Sequence, residues 1–369
     1  MAPLRQCAWL LVGGLASLAS LMGLLPLLPG PRGCSWPPLR IRPWPAWAAY
    51  LASLMTFAAI EIGLQISYTL QLTSHFVKGI MLLGAALRAL VFAAAARRRD
   101  LLSRLAECLR LYATRHPPAR WGPLFAAALM VLAFWVVYGV YCWRQVSWGC
   151  CPWRLVGVVL VVGGEGLVYS LIFFLVVAPM ATLGVLAEGL RSDCAAVASL
   201  GPDSDQEAQW RALRVRQQLL QDMHGLALAV SEERCLFALV TFSLTSALWY
   251  SDCVYALLSR SISSPSPPMV PLVIGVGHQI FLATLCASCL RFRTESMLIV
   301  CLLQGHLAKM VESKVTCREV SCFVDQVLRQ SKRYSLLGVL GIDSSTIKSV
   351  ITAVTSYLVL IVQFDIKVQ

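Results

Sequence analysis

Residues 347–364 read Ile347-Lys348-Ser349-Val350-Ile351-Thr352-Ala353-Val354-Thr355-Ser356-Tyr357-Leu358-Val359-Leu360-Ile361-Val362-Gln363-Phe364. Apart from Lys348 the stretch is uncharged, and as a helix it would measure roughly 27 Å, just enough to cross about 30 Å of hydrocarbon. Asp343 and Ser344 immediately before it are good helix N-caps, because their side-chain oxygens can take the first unpaired backbone N–H groups. At about 100° per residue, Ser356, Val359 or Leu360, and Gln363 fall on one face, while Tyr357 and Phe364 share a neighbouring one. An amide one residue before an aromatic, near the end of such a helix, is costly to turn toward lipid. The segment therefore reads as a membrane span with one special face.

Working outward, the same apolar character recurs. Of 369 residues, 58% are hydrophobic and 14% charged, against about 45–50% and about 25% in a soluble domain. Further apolar runs occupy residues 44–70, 76–96, 121–143, 153–187, 235–258 and 269–290. With 347–364 they predict an all-α membrane protein with seven transmembrane helices. Trp44, Trp47, Trp121, Trp143, Trp153 and Trp249 stand near run ends, where indole rings prefer the headgroup level. The runs 44–70 and 76–96 are close enough in sequence to form a helical hairpin. An earlier run, residues 7–29, is broken by Pro26 and Pro29 and followed by Arg32, Arg40 and Arg42; it reads as a signal peptide or as a re-entrant or surface helix.

Connector charge sets the orientation. Residues 97–120 hold seven Lys or Arg, 188–234 hold five and 291–346 hold eight, while the alternate connectors are nearly devoid of them. Placing the basic connectors in the cytoplasm gives an inverted topology, with the N-terminus cytoplasmic and the C-terminus extracellular. The basic connectors are also long and amphipathic, as in Leu101-Leu102, Leu105 and Leu109 with Arg104 and Arg110 between them, so helices extend into the cytoplasm. The expected organisation is an N-terminal cytoplasmic or re-entrant segment (1–43), a six-span ligand-binding domain (44–290), a cytoplasmic helical anchor (291–346), and the last span with a short extracellular tail (347–369).

Several chemistries drop out at this stage. The net charge of +12 comes from connectors and forms no continuous basic face, so nucleic acid is not an expected partner. His-Glu-x-x-His, Gly-x-Ser-x-Gly and Walker A strings are missing, and no catalytic residue, cofactor or metal site is expected. Gly163-Gly164-Glu165-Gly166 lies inside an apolar run, where small residues serve close helix packing. Among 14 cysteines, Cys235, Cys286, Cys289 and Cys301 sit in apolar surroundings as small hydrophobes. Cys142, Cys150 and Cys151 belong to an outer connector and are the one place where a bridge is conceivable.

Ionisable groups within spans are costly and mark function by default. Glu61, Glu165, Asp252 and His278 qualify, with Trp135, Tyr138, Tyr169, Trp249, Tyr250 and Tyr255 at comparable depths. From these, Tyr138, Tyr169, Trp249, Tyr250, Asp252 and His278 are the candidate ligand-binding residues, suited to an apolar or aromatic compound with one or two polar groups.

The C-terminal segment resembles the signature of insect gustatory receptors: Thr-Tyr, five hydrophobic residues, then Gln-Phe, after a Gly-containing stretch ending in a Leu-Asp-like pair. Tyr357, residues 358–362 and Gln363-Phe364 match it, as do Gly338 and Ile342-Asp343; Ser356 replaces the Thr and keeps its hydroxyl. The close resemblance covers about the last 30 residues. It implies a seven-transmembrane chemoreceptor channel of four subunits, homo- or heteromeric, in the plasma membrane, gated by a small-molecule tastant and passing cations unselectively. It further implies that the last helix lines a shared pore, with Ser356, Val359, Leu360, Gln363 and Phe364 at the pore or gate. Sugar receptors similar to this family carry Glu after Thr-Tyr, where this chain has Leu358, so a bitter or other non-sugar ligand is expected, with a fructose-like sugar as alternative. The related odorant receptors share the architecture. A G-protein-coupled receptor would need the opposite orientation and an Asp-Arg-Tyr or Asn-Pro-x-x-Tyr string, neither present; a secondary transporter would fit the intramembrane carboxylates but usually shows an internal repeat.

Overall fold

A computed structural model describes residues 27–29, 39–41, 83, 86–87, 90, 99–116, 122–147, 166, 168–200, 206–258, 269–308, 314–330, 335–336, 340–341 and 344–367. The expected spans 44–70 and 76–96 fall almost wholly outside these residues, as do the tight turn between them, most of the run 7–29, the start of the run 153–187 with Glu165, Glu61, and the Cys142, Cys150 and Cys151 side chains. Leu83, Ala86, Leu87 and Leu90 are helical.

Apart from two minimal hairpin ladders, the described chain is helical. Strand β1 (Leu27–Pro29) pairs antiparallel with β2 (Leu39–Ile41), Leu27 opposite Ile41. The end of the first apolar run is thus extended, in keeping with its prolines, which are tolerated only at strand edges and ends. Helices follow: α1 (Arg99–Arg115), α2 (Gly122–Ser147), α3 (Val168–Ser199), α4 (Gln206–Leu258), α5 (Met269–Leu307) and α6 (Lys314–Gln330). Then β3 (Ser335–Leu336) pairs with β4 (Leu340–Gly341), and α7 (Ser344–Lys367) ends the described chain.

Helix length explains the architecture. α4 has 53 residues and α5 has 39, roughly 80 and 58 Å at 1.5 Å per residue, well beyond the ~30 Å a bilayer requires. The span 235–258 is therefore the final part of one continuous helix, and the basic stretch before it is helix too. Among the described residues, Val168–Ser199 and Leu272–Leu307 are long and apolar enough to cross a membrane, and Ala128–Val140 is a shorter apolar stretch. The amphipathic connectors behave as their spacing predicts: α1 buries Leu102, Leu105, Leu109 and Tyr112, and α6 buries Val320, Phe323, Val324 and Val327. Both pack on α4.

Within α3, residues Phe173–Val177 form a π turn, closed by the Ala178 N–H donating to the Phe173 carbonyl. Pro179 is the cause: it has no N–H to give and its ring crowds the carbonyl four residues earlier, so the ladder widens by one residue just before it.

Opposite charges tie the connector-rich end together. Arg291 pairs with Glu188 at 2.8 Å and Arg191 with Glu295 at 3.1 Å, a reciprocal pair of links between α3 and α5. Arg216 joins Asp193 at 2.8 Å and lies beside Tyr112, whose hydroxyl burial pushes upward in pKa. Arg214 meets Glu319 of α6 at 3.3 Å. These pairs are partly solvated, so each contributes up to about 1 kcal/mol, more in alignment than in stability. Arg191, Arg214, Arg216 and Arg291, among the basic residues expected to set orientation, are thus also structural.

His224 stacks on Phe292 between α4 and α5, with ring centroids 4.2 Å apart and planes at 22°. Its Nε2 has no partner among the described residues, and burial holds its pKa down to about 4 from the usual 6.5. The unfolded chain therefore binds the extra proton first, and the stability that neutral His224 confers is complete above pH ~6.5 and lost as pH falls through ~4. In detergent, lowering the pH across that window is expected to cost the wild type about 3 kcal/mol more than His224→Phe. Parallel pH–melting curves for the two proteins check this.

Candidate functional site

The core between α2, α3, α4 and α5 is a knot of aromatic rings. Tyr169 sits at its centre, its side chain fully buried. Its ring centroid lies 3.8 Å from Phe134, 4.3 Å from Phe242, 4.5 Å from Phe281 and 5.2 Å from His278. Tyr138, one helical turn from Phe134, meets that ring edge-on at 4.4 Å. His278 is edge-on to Phe134 at 5.5 Å and near Phe242 at 5.8 Å, and its Nδ1 is 2.8 Å from the Ile274 carbonyl. Because a carbonyl oxygen only accepts, that contact makes Nδ1 the nitrogen that donates. Edge-to-face and offset pairs at these distances are favourable, each worth roughly 0.5–1.5 kcal/mol beyond burial.

Glycines let the helices close around this cage. A Cβ built on Gly277 would stand 3.3 Å from the Phe134 ring, and one on Gly275 only 2.8 Å from a ring carbon of Tyr250. A Cβ on Gly166 would fall 2.9 Å from Trp135. The Trp135 indole N–H donates to the Ser170 hydroxyl at 3.0 Å, and that hydroxyl donates to the Gly166 carbonyl at 3.0 Å. The packing role read for the 163–166 glycine cluster thus holds at Gly166.

Of the six candidate ligand-binding residues, the structure gathers Tyr138, Tyr169 and His278 in one cage. Trp249 is half-buried against the core, and Tyr250 lies along α5 at Gly275, one turn from His278. The Asp252 side chain is outside the described residues. Sequence reading missed Phe134, Phe242 and Phe281, which complete the cage. In α7, Thr346 and Val354 are buried and Val350 packs on the core, whereas Ser356, Val359, Leu360 and Gln363 are exposed on the single chain. α7 rests on α4 and α5. Gly338 and Asp343, and the side chains of Tyr357 and Phe364, are outside the described residues.

The sequence model described as 7tm Chemosensory receptor matches residues 14–368. The chain belongs to this family. As a 7tm chemosensory receptor it is a multi-pass membrane protein and not an enzyme. Its fold is similar to that of the insect olfactory receptor OR5 from Machilis hrabei, solved in complex with eugenol, with a TM-score of 0.60 at 10% identity, covering 98% of this chain and 99% of that one. The seven-transmembrane helical fold expected from the apolar runs is therefore the fold of the receptor. A search of curated proteins finds no match.

Proposed function

We propose that this receptor is of the gustatory type: a tastant-gated, non-selective cation channel of the plasma membrane, assembled from four subunits, homo- or heteromeric. Its N-terminus is cytoplasmic and its C-terminus extracellular, and its ligand is a bitter or other non-sugar compound bound among the spans. The observation that carries this reading is the state of α7. Among its described side chains, its own chain covers a stripe through Thr346, Val350 and Val354. The opposite face, with Ser356, Val359, Leu360 and Gln363, is left for other copies around a shared axis, in a helix ending in the Tyr357-x5-Gln363-Phe364 string. There a hydrophobic constriction would be topped by a ring of amides. A non-sugar ligand is favoured because the cage offers rings and few polar groups, and each sugar hydroxyl buried without a partner is costly.

Expression in a cell lacking such receptors, with calcium imaging against a panel of bitter compounds and sugars, tests the ligand class. Accessibility of tags on the two termini in unpermeabilised cells tests the orientation; an exposed N-terminus with a hidden C-terminus would favour a coupled receptor instead. For the pore, Gln363→Ala is expected to change relative cation permeability about fivefold, the equivalent of about 1 kcal/mol per ion at the filter. Unchanged reversal potentials and blocker sensitivity would remove Gln363 from the conduction path.

A further inference from the structure

The upper half of α4 contains several hydroxyls buried in apolar surroundings, and most satisfy themselves locally. Ser243 donates to the Leu239 carbonyl, Thr245 to that of Thr241, and Ser251 to that of Leu248. Ser246 does not. Its side chain is fully buried and its Oγ has no hydrogen-bond partner among the described residues, although bonding back to its own helix is the usual resolution for such a group. A buried hydroxyl left without a partner is unfavourable enough to call for an explanation.

Its position supplies one. Phe242, Ser246 and Tyr250 follow one another at four-residue spacing, on one stripe of α4. The lower member, Phe242, touches Phe281 and His278; the upper member, Tyr250, lies against Gly275. Ser246 therefore stands between them, at the level of α5 where Gly275 gives way to His278, on the rim of the aromatic cage. Thr241 also lacks a partner, but it sits about 100° around the helix from Phe242, off this stripe.

The geometry points to Ser246 as a hydrogen-bonding residue for the ligand, donating to an acceptor such as a carbonyl oxygen carried by a compound whose aromatic ring enters the cage. The inference rests on the aromatic pocket proposed above and assigns the chemistry of its polar end. Acetophenone and ethylbenzene are suitable probes, since they match in ring and chain and differ in the carbonyl. In the wild type, acetophenone is expected to raise the melting temperature of the purified receptor, and to evoke current, at lower concentration than ethylbenzene. Ser246→Ala is expected to weaken acetophenone about fivefold to tenfold while changing ethylbenzene less than about twofold, the range of one neutral hydrogen bond. Ser246→Thr, which keeps the hydroxyl, restores the difference. Without ligand, Ser246→Ala melts no lower than the wild type, because no native bond is lost. A substantially lower melting temperature would reveal a structural partner and overturn the assignment. So would an unaltered acetophenone-to-ethylbenzene ratio in Ser246→Ala, with the aromatic pocket left standing. If neither compound shifts the wild type in melting or in current, the aromatic pocket itself fails and Ser246 with it.

Discussion

Tyr169→Ala is expected to destabilise the receptor by about 3–5 kcal/mol and abolish ligand-evoked current. Tyr169 is fully buried and makes close ring contacts with Phe134, Phe242, Phe281 and His278. Within a bilayer, burial alone gains little, since lipid is as apolar as a side chain; the packing of rings against one another supplies the cohesion. Removing the central ring forfeits those contacts and leaves a ring-sized cavity, the costliest kind of large-to-small change. Such a dry, apolar cavity binds a small aromatic molecule, so p-cresol, the shape of the lost side chain, should recover much of the melting temperature of Tyr169→Ala, a larger shift than it produces in the wild type. Tyr169→Phe should remain close to the wild type in melting. A Tyr169→Ala protein that melts with the wild type, or that p-cresol leaves untouched, would mean that the rings are not a mutually supporting unit.

Why Tyr169 was visible in the sequence and Phe242 was not follows from what periodicity encodes. Tyr138, Tyr169 and His278 stand out because each carries a polar tip inside an apolar run, and a polar tip must find company in hydrocarbon. Phe134, Phe242 and Phe281 have no such tip, and in helices that are apolar all round nothing in the pattern tells a core-facing Phe from a lipid-facing one. Their meeting depends on helix rotation and axial register, which contacts between distant segments settle: Tyr250 against Gly275 and Phe242 against Phe281 fix how α4 and α5 slide past each other. The glycines at 275 and 277 were a usable signal, since paired small residues in a span mark a close approach. The apolar runs themselves were legible because bilayer thickness imposes a length on them. The continuity of α4 was less so. Its first half is charged enough to pass for a connector, and it is the ion pairs of Arg214 and Arg216 with Glu319 and Asp193, groups far apart in sequence, that use those charges inside a helical bundle. Pro179 announces a disturbance in α3, and the π turn ahead of it is the form that disturbance takes.

The second large effect concerns the closed state. If the face of α7 bearing Leu360 surrounds the axis, the constriction stays shut because a narrow ring of aliphatic side chains expels water, and ions cannot follow. Leu360→Asn places an amide at that ring in every subunit and lets water in. Current without ligand is then expected to rise roughly tenfold or more, since even about 1.4 kcal/mol of relief per channel shifts the closed-to-open balance by that factor. Ile351 provides the comparison. On the single chain it is as exposed as Leu360, at 51% against 43%, yet nine residues along an α-helix place the two on opposite sides. Ile351→Asn should therefore reduce surface expression, through an amide facing lipid or a neighbouring span, without producing leak. Recording both variants in ligand-free solution separates the two faces. Leak from Ile351→Asn and none from Leu360→Asn would rotate α7 by half a turn and remove Ser356, Val359, Leu360 and Gln363 from the conduction path together.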